Sequence, residues 1–546
     1  MTRRALALLT LIPALVPGQV SYNRLLNAGQ EPQNWLTYSG TYSSQRYSQL
    51  TQINPENVKN LELKWVFQAH YLDTFEATPL VVDGVMYTIQ GNDIVALDAA
   101  TGRIFWIYRY NPSPKARLCC GRISRGLAIL GDTLFLGTVD AHLIAVDARS
   151  GHAIWDTTIA RAEAGYSITH APLAIKDKVI VGTAGGEYGI RGFLAAYDAR
   201  TGKEVWRFNT IPGPGEPGHD TWADDSWVHG GGSIWLTGSY DPELNLTYWG
   251  VGNPSPDWNG DGRAGDNLYT AAAVALDADT GKLKWHYQFS PHNEFDWDAV
   301  QIPLMADIQW QGGPRKVLLW ANRNGFFYVL DRVTGRFLLA KPFAKQNWNV
   351  GFDENGRPIM GPNTKSSREG ILIYPSNQGA TNWYSPSFSP RTGLFYLPSW
   401  ENSSTVFVKV PDEYVEGRYY GGGANRSAGP RGTAMGMRAQ QGPNFKQREE
   451  GYGLVQAIDP RTGARKWEFP MDEATESGVL TTASDLLFTG GREGYFFALD
   501  DRTGALLWKA SLGGTVAMGP MTYSVNGRQY VAAAAGTALF VFGLRE

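Results

Sequence analysis

The stretch ALDAATGRIFW, residues 96–106, decides the fold, because close variants of it recur along the chain. Short apolar runs flank a D-x-x-T-G element, here Asp98 to Gly102. The Asp and Thr side chains can cap a tight turn, and the glycine can take the positive φ that closes a hairpin. Each copy therefore predicts a β-hairpin whose last strand carries a tryptophan, here Trp106.

Further copies of this hairpin motif are spread over most of the chain. They are IAVDARSGHAIW ending at Trp155, AYDARTGKEVW at Trp206, ALDADTGKLKW at Trp285, AIDPRTGARKW at Trp467 and ALDDRTGALLW at Trp508. A seventh copy, VLDRVTGRFLL from Val329, has lost its tryptophan, and SPRTGLFYLPSW from Ser389 is a weaker echo. About four strands belong to each copy, which is the content of one propeller blade.

The number and spacing of the copies predict the architecture. Seven copies and one echo indicate about eight blades. The gaps of 79 residues from Asp198 to Asp277 and of 128 from Asp331 to Asp459 leave room for inserted loops and a degenerate blade. A solenoid is the competing repeat geometry. We predict an all-β protein, an eight-bladed β-propeller with tryptophan-docking repeats.

The N-terminal residues have the pattern of an export signal. In MTRRALALLTLIPALVPGQV, Arg3 and Arg4 precede an apolar run from Ala5 to Val16 that is short for a membrane span. This predicts a signal peptide over about residues 1–20; a buried helix of the mature domain is the alternative. Residues 21–546 would then form a single propeller domain in the periplasm, where disulfides persist. An irregular insertion, about 410–453, is either a surface excursion or a flap above the ring.

The overall composition excludes some partners. Charged residues make up 18% of the chain and the formal net charge is −3, so no broad basic field is present for nucleic acid or anionic lipid. After the N-terminus, no run of 18 apolar residues occurs, which predicts no membrane span. The sequence leaves the oligomeric state open, with a homodimer as one option.

The only two cysteines are adjacent, as Cys119 and Cys120 in RLCCGRISRG. Neighbouring Cα atoms lie about 3.8 Å apart, closer than in ordinary disulfides, so a bond between these two would be strained. Such strain tends to occur at functional sites. Two buried thiols that never bond are the alternative.

Several acidic and amide side chains lie in turns between the repeats. GTAGGEYGIRG contains Glu187, GVGNPSPDW contains Asn253, and PHNEFDWDAV contains Asp296 and Asp298. In an extended segment the last two carboxylates point to the same side, and oxygen ligands without His or Cys suit a hard cation. Taken singly, each is an ordinary solvated turn residue. DWNGDG (257–262) mimics the start of a calcium loop but has Leu268 at the twelfth position, so we interpret it as structural.

The order of six motifs gives the chain a family resemblance. CCGRISRG, GTAGGEYGIRG, GGGSIW, GNPSP, HNEFDWD and NRNG together resemble the pyrroloquinoline quinone (PQQ)-dependent alcohol dehydrogenases of the methanol and ethanol dehydrogenase type. That family consists of eight-bladed periplasmic propellers. The resemblance covers nearly the whole mature chain.

The resemblance implies a quinone site. Its cysteines would form a disulfide ring on one face of the quinone, with a tryptophan, here Trp235, on the other face. Arg323 would contact the reactive carbonyl edge. The residues implied to bind the cofactor are Glu76, Cys119, Cys120, Arg125, Thr169, Ala184, Gly185, Gly186, Trp235, Arg323, Asn382 and Trp383.

The resemblance also implies a metal beside the quinone. Glu187 and Asn253 would ligate it, and Asp296 would be the catalytic base that takes the alcohol proton while hydride moves to the cofactor. Family members that use a lanthanide carry a second aspartate, here Asp298, where calcium enzymes carry a small residue. A lanthanide(III) ion is therefore predicted, with Ca²⁺ as the fallback.

The resemblance further implies the substrate and the electron acceptor. The substrate is a small primary alcohol and the product an aldehyde. Because no C-x-x-C-H haem motif occurs in the sequence, electrons are expected to pass to a separate soluble cytochrome c. A sugar (aldose) quinoprotein dehydrogenase and a non-catalytic propeller scaffold are the two alternatives. The adjacent cysteines favour an alcohol over a sugar as substrate. A scaffold would not need six of the candidate site residues, which are Cys119, Cys120, Glu187, Asn253, Asp296 and Asp298.

Overall fold

The computed structural model describes residues 19–362, 364–426 and 451–545, with the side chains of 424–426 left undescribed. The predicted signal peptide, apart from Gln19 and Val20, lies outside the described residues. The same holds for residues 427–450 of the predicted insertion. The described part contains no helix with the length and apolar character needed to cross a bilayer.

Eight sheets form the blades of a propeller; each has four antiparallel strands, and one of them gains a fifth, parallel strand from the N-terminal part of the chain. Before them come α1 (Tyr22–Leu26), the 3-10 helices Ala28–Gln30 and Val58–Asn60, β1 (Tyr47–Ser48) and β2 (Leu61–Gln68). Blade 1 contains β3 (Leu80–Val82), β4 (Val85–Gln90), β5 (Asp93–Asp98) and β6 (Ile104–Tyr108). Blade 2 contains β7 (Ala128–Leu130), β8 (Thr133–Gly137), β9 (His142–Asp147) and β10 (Ala153–Thr158).

The next three blades follow in chain order. Blade 3 contains β11 (Leu173–Ile175), β12 (Lys178–Gly182), β13 (Phe193–Asp198) and β14 (Glu204–Asn209). Blade 4 contains β15 (Ser239–Asp241), β16 (Leu246–Val251), β17 (Ala272–Asp277) and β18 (Leu283–Gln288). Blade 5 contains β19 (Leu304–Trp310), β20 (Gly313–Ala321), β21 (Phe326–Asp331) and β22 (Phe337–Pro342). Short 3-10 helices lie in the loops, at Ala162–Ala164, Gly186–Tyr188, His219–Thr221 and Ser226–His229.

Inserted strands come after blade 5 in the chain and between the second and third strands of blade 6. They are β23 (Asn349–Phe352), β24 (Pro358–Met360), β25 (Ile371–Ile373), β28 (Thr405–Lys409) and β29 (Gly423–Arg426). Blade 6 contains β26 (Ser387–Ser389), β27 (Leu394–Glu401), β30 (Tyr452–Asp459) and β31 (Ala464–Met471). Blade 7 contains β32 (Leu480–Thr482), β33 (Leu486–Gly490), β34 (Tyr495–Asp500) and β35 (Leu506–Ser511), and β1 pairs parallel with β32 at its edge. Blade 8 contains β36 (Met521–Val525), β37 (Arg528–Ala535), β38 (Ala538–Leu544) and, from the N-terminal part, β2.

The two ends of the chain meet in blade 8. Its fourth strand, β2, pairs antiparallel with β38, from Leu61 opposite Leu544 to Gln68 opposite Ala538. This pairing joins the two ends of the chain and so closes the ring. The predicted eight-bladed fold is confirmed.

The repeated tryptophans join most of the blades to the next, as predicted. Trp155 of blade 2 donates its indole N–H to the carbonyl of Ala199 in the turn of blade 3 (3.2 Å). A Cβ on the turn glycine Gly202, whose φ is +70°, would lie only 2.7 Å from this indole. Trp65 of β2 makes the equivalent bond to Ala99 of blade 1 (3.3 Å), so the docking continues across the closure.

The seven D-x-x-T-G copies serve blades 1 to 7. In each of them the motif joins the third strand to the fourth, as Asp98 to Gly102 joins β5 to β6. The SPRTG echo instead joins the first two strands of blade 6, and the eighth blade carries no copy. Where the motif has lost its tryptophan, Leu339 and Lys341 pack against the turn glycine Gly463 of the next copy.

Candidate active site

The predicted site residues all lie in loops at one end of the ring. Strand direction alternates within a blade, so loops between blades and loops between second and third strands open at the same end. The D-x-x-T-G turns open at the opposite end. The first group of loops carries Glu76, Cys119, Cys120, Arg125, Thr169, Ala184, Gly185, Gly186, Glu187, Trp235, Asn253, Asp296, Asp298, Arg323, Asn382 and Trp383.

Asp298 is the most heavily hydrogen-bonded carboxylate of the site. Its Oδ2 accepts from Nη1 of Arg323 (2.6 Å) and from the indole Nε1 of Trp235 (3.2 Å). Its Oδ1 accepts from the backbone N–H of Asn253 (2.8 Å). Asp298 therefore brings the predicted quinone wall, the predicted metal ligand and the predicted catalytic arginine to one point.

Asp296 is buried, with an unusual backbone. Its φ is +57°, a conformation that costs free energy in any residue other than glycine and that occurs often at functional sites. Its Oδ2 lies 3.9 Å from Nη2 of Arg323 and has no hydrogen-bond donor among the described residues. Burial raises the pKa of Asp296 well above its usual range; Arg323 opposes this rise, and neighbouring carboxylates add to it.

Arg323 is the guanidinium at the centre of these acids. Besides its contacts with Asp298 and Asp296, its Nη2 donates to the carbonyl of Asn377 (2.7 Å). The side chain is buried, so its charge acts on both carboxylates with little screening by water. Arg323 is thus fixed in place on two sides.

Glu187 lies next to the two cysteines. It belongs to the 3-10 helix Gly186–Tyr188, and one of its carboxylate oxygens and the Sγ atoms of Cys119 and Cys120 all lie within 4.8 Å of one another. The cysteines are joined by a disulfide, and both are exposed. The pKa of Glu187 is raised to about 7, mainly by burial; the carboxylate of Asp298 contributes to this rise, and Arg323 opposes it.

A buried ion pair lies between two tryptophans. Nη2 of Arg125 is 2.9 Å from Oε2 of Glu76. The guanidinium carbon Cζ of Arg125 is 5.0 Å from the ring centroid of Trp235 and 4.9 Å from that of Trp383. The Arg125 guanidinium thus lies against both indole rings, one of which is the predicted quinone wall.

Backbone contacts fix the remaining predicted residues. Ala184 pairs with Ser167 through two backbone hydrogen bonds (2.8 and 3.1 Å). Gly185 has φ +116°, and a Cβ there would lie 2.0 Å from the carbonyl oxygen of Gly165. The carbonyl of Gly186 accepts a short hydrogen bond from the hydroxyl of Ser255.

Thr169 and Asn382 are also fixed by contacts with the backbone. The carbonyl of Thr169 accepts from the N–H of Arg125 (3.0 Å), and the hydroxyl of Thr169 donates to the carbonyl of Trp235 (3.4 Å). Asn382 donates to the carbonyl of Gln378 (2.9 Å) and accepts from the N–H of Trp383.

Comparisons with known proteins agree with this arrangement. The family model described as the PQQ glucose/ethanol/alcohol dehydrogenase β-propeller domain matches residues 35–340 and 340–531. The chain is 40% identical to quinohemoprotein alcohol dehydrogenase ADH IIB of Pseudomonas putida, over 97% of this chain and 77% of that protein. This chain belongs to the PQQ-dependent alcohol dehydrogenase family.

Two further relatives of the family are informative. The 1-butanol dehydrogenase (cytochrome c) of Thauera butanivorans is 36% identical over 92% of this chain and 74% of that protein. A solved structure of a europium-containing methanol dehydrogenase matches with a TM-score of 0.87 and 32% identity, over 96% of this chain and 100% of that chain. The chain is accordingly a quinoprotein enzyme, not a scaffold.

The residues present fit the metal ion that this PQQ-dependent family implies. The carboxylates of Glu187, Asp296 and Asp298 interact electrostatically with one another, and the guanidinium of Arg323 acts on all three. Such a set repels itself unless a further positive charge lies between its members. All donors are oxygen atoms, which suits a hard cation.

The residues also fit a flat, anionic quinone. The disulfide ring and the Trp235 indole both border the acidic cluster, through Glu187 and Asp298 respectively. Arg125 supplies a buried cation beside the indole. These are the groups through which a dehydrogenase of this family would bind PQQ.

Asp257 is a site residue that the sequence analysis missed. We interpreted DWNGDG as a structural loop, but the Asp257 side chain is buried within the acidic cluster, and its Oδ1 accepts from Nδ2 of Asn253 (2.8 Å). Burial raises its pKa well above the usual range, with Glu187 the next largest cause. Its position four residues after Asn253 was the only available signal.

Proposed function

We propose that this quinoprotein oxidises primary alcohols to aldehydes in the periplasm and passes the electrons to a separate soluble cytochrome c. The observation that carries the proposal is the buried Asp296 carboxylate, whose Oδ2 lies 3.9 Å from Arg323 and accepts no hydrogen bond from the described residues. A carboxylate in this state is available to take a proton from a bound hydroxyl group.

Asp296 would act as the general base. Its raised pKa makes it a stronger proton acceptor than an ordinary aspartate, and Arg323 keeps the ionised form accessible. The alcohol loses its O–H proton to Asp296 and a hydride from the adjacent carbon, which leaves a C=O double bond. When bound, metal-activated PQQ supplies the hydride acceptor.

Different residues would bind different parts of the cofactor. Arg125 would pair with quinone carboxylates, while the disulfide and Trp235 would enclose the ring plane. Thr169, Ala184 to Gly186, Asn382 and Trp383 would complete the pocket. Arg323 would polarise the reactive edge, since its guanidinium is already fixed by Asp298 and Asn377.

The metal is proposed to be a lanthanide(III) ion. Glu187, Asn253, Asp296 and Asp298 would hold it, and the extra carboxylate of Asp298 offsets a third positive charge. The similarity to a europium-containing methanol dehydrogenase supports this choice. Ca²⁺ is the alternative.

The acceptor and location rest on separate observations. For the acceptor, the name of the Thauera relative includes cytochrome c. The predicted signal peptide and the Cys119–Cys120 disulfide support an oxidising compartment.

Reconstitution of the purified apoprotein tests the function. The protein is loaded with PQQ and either La³⁺ or Ca²⁺, and dye reduction is followed over a panel of primary alcohols and aldose sugars. We expect turnover of alcohols with La³⁺ and little turnover of sugars. Preference for sugars would favour the aldose alternative. The description of the matched family includes glucose dehydrogenases, so this alternative belongs in the test.

The metal assignment has its own test. Asp298→Ala should abolish La³⁺-dependent turnover. Equal activation of the wild type by Ca²⁺, together with full La³⁺ activity in Asp298→Ala, would refute the lanthanide assignment but leave alcohol oxidation standing.

A further inference from the structure

A segment of the predicted insertion crosses the metal-ligand loops. We call residues 410–422 the strap. The backbone N–H of Tyr420 in the strap donates to the carbonyl of Glu187 (2.6 Å), and the carbonyl of Gly421 accepts from the N–H of Trp258 (2.9 Å). The strap thus contacts both the loop of Glu187 and the loop that follows Asn253.

One strap side chain reaches the acidic cluster. The phenol of Tyr419 donates to Oδ2 of Asp257 (3.4 Å). The other oxygen of Asp257, Oδ1, accepts from Nδ2 of Asn253 (2.8 Å). Tyr419, Asp257 and Asn253 therefore form a continuous hydrogen-bonded chain from the strap to a proposed metal ligand.

This chain sets the orientation of the Asn253 amide. A carboxylate accepts hydrogen bonds and cannot donate them when ionised, so it selects the NH₂ side of the amide. Nδ2 also donates to the carbonyl of Pro254 (3.1 Å), so both of its hydrogens are engaged. The carbonyl oxygen Oδ1 is left as the atom that can ligate a cation.

Asp257 also adds charge to the site. It is a fourth carboxylate beside Glu187, Asp296 and Asp298, and it interacts electrostatically with Glu187 and Asp298. The second nearby cation, Arg263, donates to the backbone carbonyls of Pro256 and Asn293. When ionised, the half-buried Glu187 and the buried Asp257, Asp296 and Asp298 outnumber the two arginines, which leaves an excess of negative charge.

We propose that Asp257, held by Tyr419, is a positioning residue that turns the Asn253 carbonyl oxygen toward the metal and makes the site prefer a trivalent over a divalent cation. This inference rests on the proposed function, because it needs a metal between these residues. It concerns the metal-free protein as well, since the hydrogen bonds that orient Asn253 form without an ion.

Metal titrations of the apoprotein provide the test. Binding of Tb³⁺ is followed by luminescence and binding of Ca²⁺ by calorimetry, in the wild type, Asp257→Asn, Tyr419→Phe and Asp261→Asn. Asp261 is the matched control, because it lies in the same loop but forms an exposed ion pair with Lys409 (2.7 Å) outside the cluster.

The expected changes are graded. Asp257→Asn should weaken Tb³⁺ binding by about 10- to 100-fold, as substitutions behind a metal ligand commonly do. The logarithmic loss for Tb³⁺ should be about one and a half times that for Ca²⁺, because the Coulomb energy scales with the charge of the ion. Tyr419→Phe should shift Tb³⁺ binding in the same direction by a smaller factor, and Asp261→Asn should leave both affinities unchanged.

Three results would have distinct meanings. Unchanged Tb³⁺ binding in Asp257→Asn would overturn the inference. So would equal losses for both ions, because a merely structural defect does not distinguish their charges. If the wild type bound neither ion, the proposed metal site itself, and with it the proposed function, would be wrong.

Discussion

The indole Nε1 of Trp235 donates a hydrogen bond to Oδ2 of Asp298 over 3.2 Å. The side chain proposed to stack on the quinone is therefore anchored by a carboxylate proposed to bind the metal. This bond couples the quinone half of the cofactor site to the metal half. A change in the indole should consequently alter metal binding as well as quinone binding.

Trp235→Phe tests that coupling. The phenyl ring retains an aromatic surface, but it has no N–H to orient Asp298. We expect metal affinity of the apoprotein to fall by about 10-fold, a typical effect of losing a hydrogen bond to a ligand. Tb³⁺ luminescence titration measures it.

The control for this substitution is Trp383→Phe. The Trp383 ring also lies against Arg125, at 4.9 Å, but the hydrogen bond to Asp298 comes from Trp235. It should leave Tb³⁺ affinity unchanged while weakening PQQ binding. Equal metal affinities in the two variants and the wild type would show that the indole hydrogen bond does not orient Asp298.

Asp296→Asn should remove the general base. The amide cannot accept the alcohol proton, so we expect turnover at saturating metal and PQQ to fall by about 10²- to 10⁴-fold. Dye reduction gives the rate, and the absorbance of bound PQQ gives the loading. Asp266→Asn, which removes an exposed carboxylate paired with Arg357 (2.6 Å), is the matched control. Undiminished turnover of fully loaded Asp296→Asn would assign the base to another residue.

Glu76→Ala should destabilise the fold as well as the site. It leaves the buried guanidinium of Arg125 without its carboxylate, and breaking a buried ion pair costs about 3–5 kcal/mol. Glu416→Ala breaks the exposed pair with Arg161 (2.7 Å) and should cost less than about 1 kcal/mol. Urea unfolding of both variants gives the comparison. Similar small costs would mean that water or another group solvates Arg125.

The fold could be predicted because its determinants are local. Each D-x-x-T-G copy fixes its own turn through contacts within a few residues, as Asp98 accepts from the N–H groups of Ala100 and Thr101. Blade 8 has no such copy, and its fourth strand, β2, comes from the other end of the chain. No local sequence pattern can reveal a pairing between the two ends of the chain. Counting the echo at Ser389 as the eighth copy was therefore wrong, because the echo lies in blade 6.

The site was predictable only in part for the same reason. Residues such as Glu187 and Asp298 stood out through motifs of a known family. Asp257 had no such signal, because its role depends on Tyr419, which is 162 residues away in the sequence. The DWNGDG pattern also offered a local explanation that needed no distant partner.

Gly202→Ala tests the docking of blade 2 on blade 3. Both Gly202 and Gly393 have positive φ, +70° and +68°, so alanine at either position costs about 1–2 kcal/mol of backbone strain. At Gly202 the new Cβ would also meet the Trp155 indole at 2.7 Å, whereas at Gly393 no atom lies within 4 Å. We expect Gly202→Ala to lose a further amount of about 1–3 kcal/mol in urea unfolding. Equal losses would show that the indole yields without cost.

Asp501, which lies far from the metal site, should make the free energy of unfolding of the protein depend on pH. This residue is buried in the turn of blade 7, and its carbonyl accepts from the indole of Trp467 (3.0 Å). The pKa of its carboxyl group is raised to about 7, mainly by burial and also by the charges of Asp485 and Asp500. In the unfolded chain the same group ionises near its ordinary value of about 4.

The sign of the effect follows from these two values. Between about pH 4 and about pH 7 the folded protein holds a proton on Asp501 that the unfolded chain has released, so the free energy of unfolding falls as the pH rises. The loss is at most about 4 kcal/mol. Asp501→Asn carries no such proton and should flatten this part of the stability curve, making the variant more stable than the wild type above pH 7. Thermal unfolding of both proteins across this range measures the difference, and parallel curves would place the titration on another group.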